Sequence, residues 1–160
     1  MVLAQFNGSG TPLGDMESKG AIVCLTLSTT RHDILKGILD SLFYELRFNM
    51  DTMEKAGIRI RKLRAAGGGA RSPLWLQTKS DVTGQVIETL ECKEAGCLGS
   101  AVLAAAGAGI YDTVRQAAEK MVRTDKSYSP CLEQAKKYEE QYRRYQMLYE
   151  GVSRLYHAGV

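Results

Sequence analysis

The fold is indicated most clearly by Leu63-Arg-Ala-Ala-Gly-Gly-Gly-Ala-Arg-Ser-Pro-Leu-Trp-Leu-Gln-Thr-Lys-Ser-Asp81, because this stretch predicts a strand, a glycine turn and a helix. Ser72 and Pro73 are residue types preferred at a helix N-cap and first position, and Gly84 predicts the end of that helix after Thr83. Three glycines remove every Cβ from the turn, so backbone N–H groups can approach an anion or a flat ring. The lysine of a P-loop and the spaced glycines of a dinucleotide turn are both missing. These residues alone therefore leave open a nucleotide-binding loop and a purely structural turn.

Basic side chains cluster around the glycine turn. They are Arg59, Arg61, Lys62, Arg64 and Arg71. Such a cluster could attract phosphorylated ligands, or it could discourage the pairing of an exposed strand edge. Charge alone assigns none of these residues a ligand role.

The chain before the turn predicts a lead-in, a strand and a long helix. Residues 1–19 are rich in glycine and polar side chains and predict an extended lead-in, and residues 20–27 predict a short strand. Thr30 and Asp33 form a capping pair, and Gly57 predicts the end of the helix after about Ala56. Apolar residues recur at helical spacing and predict one core-facing stripe: Ile34, Leu35, Ile38, Leu39, Leu42, Phe43, Leu46, Met50 and Met53.

The remaining elements alternate between strands and helices. Residues 58–66 and 85–90 predict strands that flank the glycine turn and its helix. Residues 95–108 predict a helix of mostly small side chains, which something else can approach closely, and residues 112–122 predict a further helix. This alternation indicates a layered α/β domain.

A line of tyrosines marks the C-terminal helix predicted over residues 130–157. Its apolar face consists of Tyr138, Tyr142, Tyr145, Tyr149, Val152 and Tyr156. A tyrosine ladder could stack on bases or sugars. The helical spacing favours packing onto the domain, with the hydroxyls reaching water at the edge.

Composition excludes several classes of protein. The 160 residues weigh 17.6 kDa, are 44% apolar and 24% charged, and indicate one soluble domain with a core, not a disordered chain. A net charge of +3 predicts neither nucleic acid nor a membrane as a partner. The longest uncharged run, which ends at Tyr111, is shorter than the about 20 apolar residues that span a bilayer. No signal peptide is expected, and a cytoplasmic location is predicted.

The four cysteines indicate no metal site. Cys24, Cys92, Cys97 and Cys131 lack a paired ligand spacing, and no histidine cluster lies near them. We expect reduced and mostly buried thiols.

Four segments together match the pattern of a known family. They are Phe6-Asn-Gly-Ser-Gly-Thr-Pro12, Gly20–Arg31 with its helix to Asp40, Gly67–Asp81, and Ala95–Ala101. In this order, from Phe6 to about Tyr149, the chain closely resembles the C-terminal part of the FGGY carbohydrate kinases. Two departures are Cys24, where the family signature has glycine, and Gly37, where it has alanine or serine.

The resemblance implies a fold and a site. The fold is an actin-like, ribonuclease-H-like α/β domain of three layers, with a mixed sheet between helices, and it is expected to be incomplete at its N-terminal strands. Residues 1–160 would form part of the nucleotide-side, C-terminal domain. The expected nucleotide contacts are Gly67, Gly68, Gly69, Ala70 and Ser72, with Gln77 and Asp81 as supporting residues. Gly96 and Gly99 would let their helix pack close behind the pocket.

The resemblance also implies a reaction. The whole enzyme would transfer the γ-phosphoryl group of MgATP to a hydroxyl of a pentulose or a similar sugar or polyol. The sugar and the catalytic aspartate belong to an N-terminal domain that precedes this segment in the family, so no catalytic or metal-binding residue is assigned here. The isolated chain is expected to be inactive. The alternative is an inactive structural module that self-associates as a homo-oligomer.

Overall fold

In a computed structural model of the chain, residues 1–157 are described and form two compact units. The first combines residues 1–60 with the chain from Leu132 onward, and the second contains residues 61–131. The last three residues of the domain expected over 1–160 lie outside the described part.

Five strands and five helices lie within residues 1–157. In chain order they are β1 Val2–Leu3, β2 Ala21–Ile22, α1 Arg31–Lys55, β3 Leu63–Ala65, α2 Pro73–Thr83, β4 Ile87–Leu90, α3 Ala95–Gly107, α4 Val114–Met121, β5 Thr124–Tyr128 and α5 Leu132–His157. A short 3-10 turn at Gly68–Arg71 separates β3 from α2. No helix in this part of the chain is long and apolar enough to cross a membrane.

The first unit places the N-terminus of the chain in its core. β1 pairs antiparallel with β2, with Val2 opposite Ile22, and both residues of β1 are buried. Residues 1–19 therefore contain buried structure as well as the extended segment that composition predicted. β2 is two residues long, much shorter than the strand predicted over 20–27.

Helix α1 confirms the predicted start but buries only part of the predicted apolar stripe, including Phe43 and Met50. Thr30 and Asp33 form the predicted capping box, which satisfies backbone donors at the helix start. Phe43 and Tyr44 are buried, because α1 contacts β1 and α5 with the face that carries them. The prediction of one buried apolar stripe was wrong for four residues, which are 43–57% exposed: Leu35, Leu39, Leu42 and Met53.

The tyrosines of α5 pack against α1, as the helical spacing favoured. The ring of Tyr44 lies 5.2–6.4 Å from three of them, centroid to centroid: Tyr138, Tyr142 and Tyr145. The expectation that the hydroxyls reach water was wrong for Tyr142 and Tyr145. Carboxylates of α1 accept hydrogen bonds from both, because a buried hydroxyl needs a partner.

The two departures from the family signature have local structural counterparts. Cys24 adopts a left-handed backbone, with a φ of 58°, which is the conformation that glycine adopts without strain. At Gly37, a Cβ would lie 2.8 Å from Cγ2 of the buried Val2. Glycine at position 37 therefore leaves room for the side chain of Val2.

The second unit is built on a mixed sheet in the order β3-β4-β5. β3 pairs parallel with β4, and β5 pairs antiparallel with it. α2 begins and ends as predicted, with Ser72 as its N-cap, Pro73 in its first turn and Gly84 in the left-handed region as its C-cap. β5 was not predicted, because Thr124–Tyr128 is polar and lacks an apolar alternation.

Two expectations about side chains were not met. All four cysteines are exposed, so the prediction of mostly buried thiols was wrong. α3 forms as predicted, but a Cβ built at Gly96 or Gly99 would meet no atom within 4 Å in residues 1–157. The close approach expected at Gly96 and Gly99 is thus not made by residues 1–157.

Candidate functional site

The glycine turn lies between the end of β3 and the start of α2. Gly67 has a φ of 77°, which only glycine adopts readily, and it turns the chain out of the strand. Its N–H donates to the Lys93 carbonyl at 3.4 Å, and its carbonyl accepts from the Ala70 N–H at 3.1 Å. Ala70 is buried and anchors the turn in the second unit.

The turn leaves two amide donors exposed to a ligand. Gly68 and Gly69 open the 3-10 turn, and the first N–H groups of a helix have no partner within it. Both glycines are exposed, and within residues 1–157 neither amide has a backbone acceptor. The turn therefore offers adjacent N–H groups on a surface with no side chains, which suits the oxygens or the ring of a nucleotide.

The start of α2 is fixed by its own cap. Ser72 Oγ accepts a hydrogen bond from the Trp75 N–H at 3.3 Å, so this predicted contact residue also has a structural role. A Cβ placed on Gly69 would lie 3.2 Å from Nε1 of Trp75, which the sequence did not single out. The indole is thus next to the turn.

Gln77 and Asp81 form hydrogen bonds with the segment that follows β5 and not with the glycine turn. Gln77 Nε2 donates to Asp81 Oδ1 and to the Ser129 carbonyl, both at 2.9 Å. The same Oδ1 of the buried Asp81 accepts from the Cys131 N–H at 2.8 Å. The polar atoms in these contacts thus fasten the end of the β5 segment to α2. The spacing of four residues between Gln77 and Asp81 on one helix face was the available signal for their pairing.

Part of the basic cluster is neutralised within the chain. Lys62 Nζ lies 2.7 Å from Glu88 Oε1, and Arg64 Nε lies 3.6 Å from Oε2 of the same carboxylate. The hydrogen bond from Lys62 lowers the pKa of Glu88, so the carboxylate stays charged. Arg71 lies 3.4 Å from Glu94 in an exposed pair, which contributes little and leaves the arginine able to exchange partners.

Cavities in the first unit do not involve the glycine turn. Three have volumes of about 390, 380 and 490 Å³, and they are lined by residues of α1, α5 and the N-terminal segment. Several side chains that line them are already paired with each other, including Lys36 with Asp40 and Tyr145 with Glu45. We therefore take the open glycine turn, and not these cavities, as the candidate site.

Comparison with known proteins decides the family. A family model described as the FGGY family of carbohydrate kinases, C-terminal domain, matches residues 1–108. The chain belongs to this family. The match covers β1 to α3, including the glycine turn and α2, and it confirms the resemblance that the four segments indicated.

Individual FGGY kinases match most of the chain. Over 148 residues it is 29% identical to a xylulose kinase of Staphylococcus epidermidis, covering 92% of this chain and 30% of that protein. Over 137 residues it is 35% identical to a glycerol kinase of Clostridium beijerinckii, covering 85% of this chain and 27% of that protein. The chain thus spans about 30% of the length of the curated relatives.

A solved structure confirms the fold. The crystal structure of a xylulose kinase from Rhodospirillum rubrum superposes with a TM-score of 0.82 at 25% identity, covering 98% of this chain and 31% of that one. The fold is therefore the actin-like, ribonuclease-H-like α/β fold of FGGY kinases, represented here by part of the C-terminal domain.

Proposed function

We propose that this chain is the ATP-binding part of a sugar kinase that transfers the γ-phosphoryl group of MgATP to a hydroxyl of a pentulose or a similar sugar or polyol. The observation that carries the proposal is the glycine turn with two exposed amide donors, in a chain that belongs to the FGGY carbohydrate kinases. Xylulose kinase among the relatives supports a pentulose, and glycerol kinase supports the wider class of polyols.

The glycine turn fits the adenosine part of ATP. Gly67, Gly68, Gly69 and Ala70 would lie against the ribose and adenine, with the amides of Gly68 and Gly69 donating to ligand oxygens or nitrogens. Ser72 would shape the approach through its helix cap. Gln77 and Asp81 would support the site at a distance, since their contacts fix α2 and the 129–131 segment.

ATP would bring the metal, and another domain of the whole kinase would bind the sugar. Among residues 1–157, no group of three or more His, Cys, Asp or Glu side chains could hold a metal ion. Mg²⁺ would arrive with the ATP phosphates, whose charge it neutralises. The sugar and the catalytic base would be supplied by the N-terminal domain of the whole kinase. The proposed location is the cytoplasm.

ATP binding can be tested with a side chain that blocks the turn. We expect the 160-residue chain to bind a fluorescent ATP analogue saturably and to release it when ATP is added. Gly68→Val should abolish this binding with little effect on folding, because a Cβ at position 68 meets no protein atom within 4 Å. The matched control is Gly96→Val, which is also open but lies outside the turn. No saturable binding by the unmodified chain would overturn the proposal.

The isolated chain is proposed to be catalytically inactive. It would supply the adenosine wall but neither the base that accepts the hydroxyl proton nor the closure that excludes water. Incubation with MgATP and a panel of pentuloses should yield no sugar phosphate. Turnover above a protein-free blank would contradict this part of the proposal.

A second candidate function is a self-associating structural module. The exposed face of α1 favours it, because Leu35, Leu39 and Leu42 are 44–57% exposed on neighbouring turns. Light scattering after size exclusion should then give a mass above 17.6 kDa, and Leu39→Glu should return the chain to a monomer. A monomer of the unmodified chain at high concentration would rule this candidate out.

A further inference from the structure

We infer that Trp75 is a positioning residue of the nucleotide site, which holds the backbone of Gly69 so that the amides of Gly68 and Gly69 face the ligand. This inference rests on the proposed function for its role in ATP binding. The position of the indole beside Gly69 stands on geometry alone.

The geometry ties Trp75 to the turn from two directions. Its backbone N–H donates to Ser72 Oγ, which fixes the first turn of α2 directly after the glycines. Its indole reaches back, so that Nε1 would lie 3.2 Å and Cδ1 3.6 Å from a Cβ on Gly69. The Lys79 ammonium lies 5.6 Å from the ring centroid, one helical turn further on, which also favours this ring position.

The two neighbouring glycines thus lack side chains for different reasons. Neither has a left-handed φ, so backbone conformation does not require glycine at either position. At Gly69, the indole of Trp75 occupies the space beside the missing Cβ. At Gly68, nothing within residues 1–157 comes within 4 Å of that point. Packing explains the glycine at 69, and the space over Gly68 is left for the ligand.

Positioning by Trp75 would strengthen binding without a direct contact to the ligand. A glycine turn has the largest backbone freedom of any sequence, and ordering it on binding weakens affinity. An indole that already restrains Gly69 lowers that cost. Replacing Trp75 should therefore weaken ATP binding more than it changes the stability of the chain.

The contact itself can be tested without nucleotide, because Trp75 is the single tryptophan of the chain. Tryptophan emission and near-ultraviolet circular dichroism of Gly69→Ala should shift, because the new Cβ meets the indole. Gly68→Ala is the matched control and should leave both spectra unchanged. Identical spectra for the two variants would overturn the contact.

The positioning role is tested by affinity for the fluorescent ATP analogue, with the melting temperature measured in parallel. Trp75→Leu should weaken binding about tenfold, and Trp75→Phe, which keeps an aromatic ring, should restore most of it. Gly69→Ala should weaken binding when Trp75 is present. In the Trp75→Leu variant, the same change should weaken binding little further. Unchanged affinity in Trp75→Leu would overturn the positioning role. If the unmodified chain binds no analogue, the proposed function fails, while the spectra still decide the contact.

Discussion

The tyrosine line of α5 and the glycine turn before α2 differ in where their polar groups find partners. Hydroxyls of Tyr142 and Tyr145 donate to Asp51 and Glu45, each at 2.6 Å, and that of Tyr149 donates to a carboxylate 3.0 Å away. The amides at the start of the glycine turn have no such acceptor in residues 1–157.

This difference separates a packing surface from a candidate site. The tyrosine rings already contact each other, and their hydroxyls are already hydrogen-bonded. They are therefore poorly available to stack on or hydrogen-bond to a base or a sugar. Exposed amides without side chains around them can still donate hydrogen bonds to a ligand without giving up a hydrogen bond of the fold. Availability of polar groups, and not residue type, therefore distinguishes the two regions.

The largest expected effect is a loss of stability when a ring is removed from the tyrosine region. Tyr44→Ala removes the buried ring that contacts three tyrosines of α5, and by comparison with Phe→Ala changes it should lower the free energy of unfolding by about 3–5 kcal/mol. Urea denaturation followed by far-ultraviolet circular dichroism measures this. Tyr44→Phe keeps the ring and should lose much less. The 44% exposed Leu42 gives a matched control, and an equal loss in Leu42→Ala would contradict the assignment of the buried face.

A smaller loss is expected at the clamp near the candidate site. Asp81→Ala leaves the Cys131 N–H without its acceptor and removes one of the two acceptors of the Gln77 amide, which should cost about 1–3 kcal/mol. Asp81→Asn retains an acceptor oxygen and should cost less. Because Trp75 lies in the same unit, its emission during urea denaturation reports the change. ATP affinity measured on the folded variant should fall far less than in Gly68→Val, and a complete loss of binding would make Asp81 part of the binding surface.

Alkaline pH should destabilise the tyrosine region through Tyr149. Burial and the neighbouring Asp15 raise the pKa of Tyr149 to about 12, from an ordinary value of about 10. The unfolded chain therefore loses this proton at lower pH than the folded chain, so stability is complete below pH 10 and falls between pH 10 and about 12. Denaturation midpoints across this interval should decline less steeply in Tyr149→Phe. An unchanged slope in that variant would exclude a contribution from Tyr149.

Local signals in the sequence predicted most helix boundaries. The capping pair at Thr30 and Asp33, and the Ser72-Pro73 start with its Gly84 stop, were correct because caps depend on residues next to each other in the chain. The strand Thr124–Tyr128 escaped prediction since it forms through pairing with the distant β4, without an apolar pattern of its own. Burial on α1 was predicted only in part, because periodicity finds an apolar stripe but not which neighbour covers it.

For the candidate site, the glycine turn was predicted and its supporting contacts were not. Three consecutive glycines are visible in the sequence, but the position of the Trp75 indole beside Gly69 depends on a side-chain orientation that spacing does not specify. Likewise, the pair Gln77–Asp81 was predicted as support for the turn, whereas its hydrogen bonds reach residues 129–131 across some fifty positions of sequence. Long-range contacts of this kind need the folded chain.

The smallest effect tests a position that belongs to neither region. Cys24 is the non-glycine residue with a positive φ within residues 1–157, and this conformation costs roughly 1–2 kcal/mol for a residue with a Cβ. Cys24→Gly removes that strain but gives the unfolded chain more freedom, which offsets about 0.5–1 kcal/mol. We therefore expect a net gain in stability of at most about 1.5 kcal/mol, measured by urea denaturation. Cys24→Ala keeps the Cβ and should give no gain, and equal stability of the two variants would show that backbone strain is not what glycine relieves at this position.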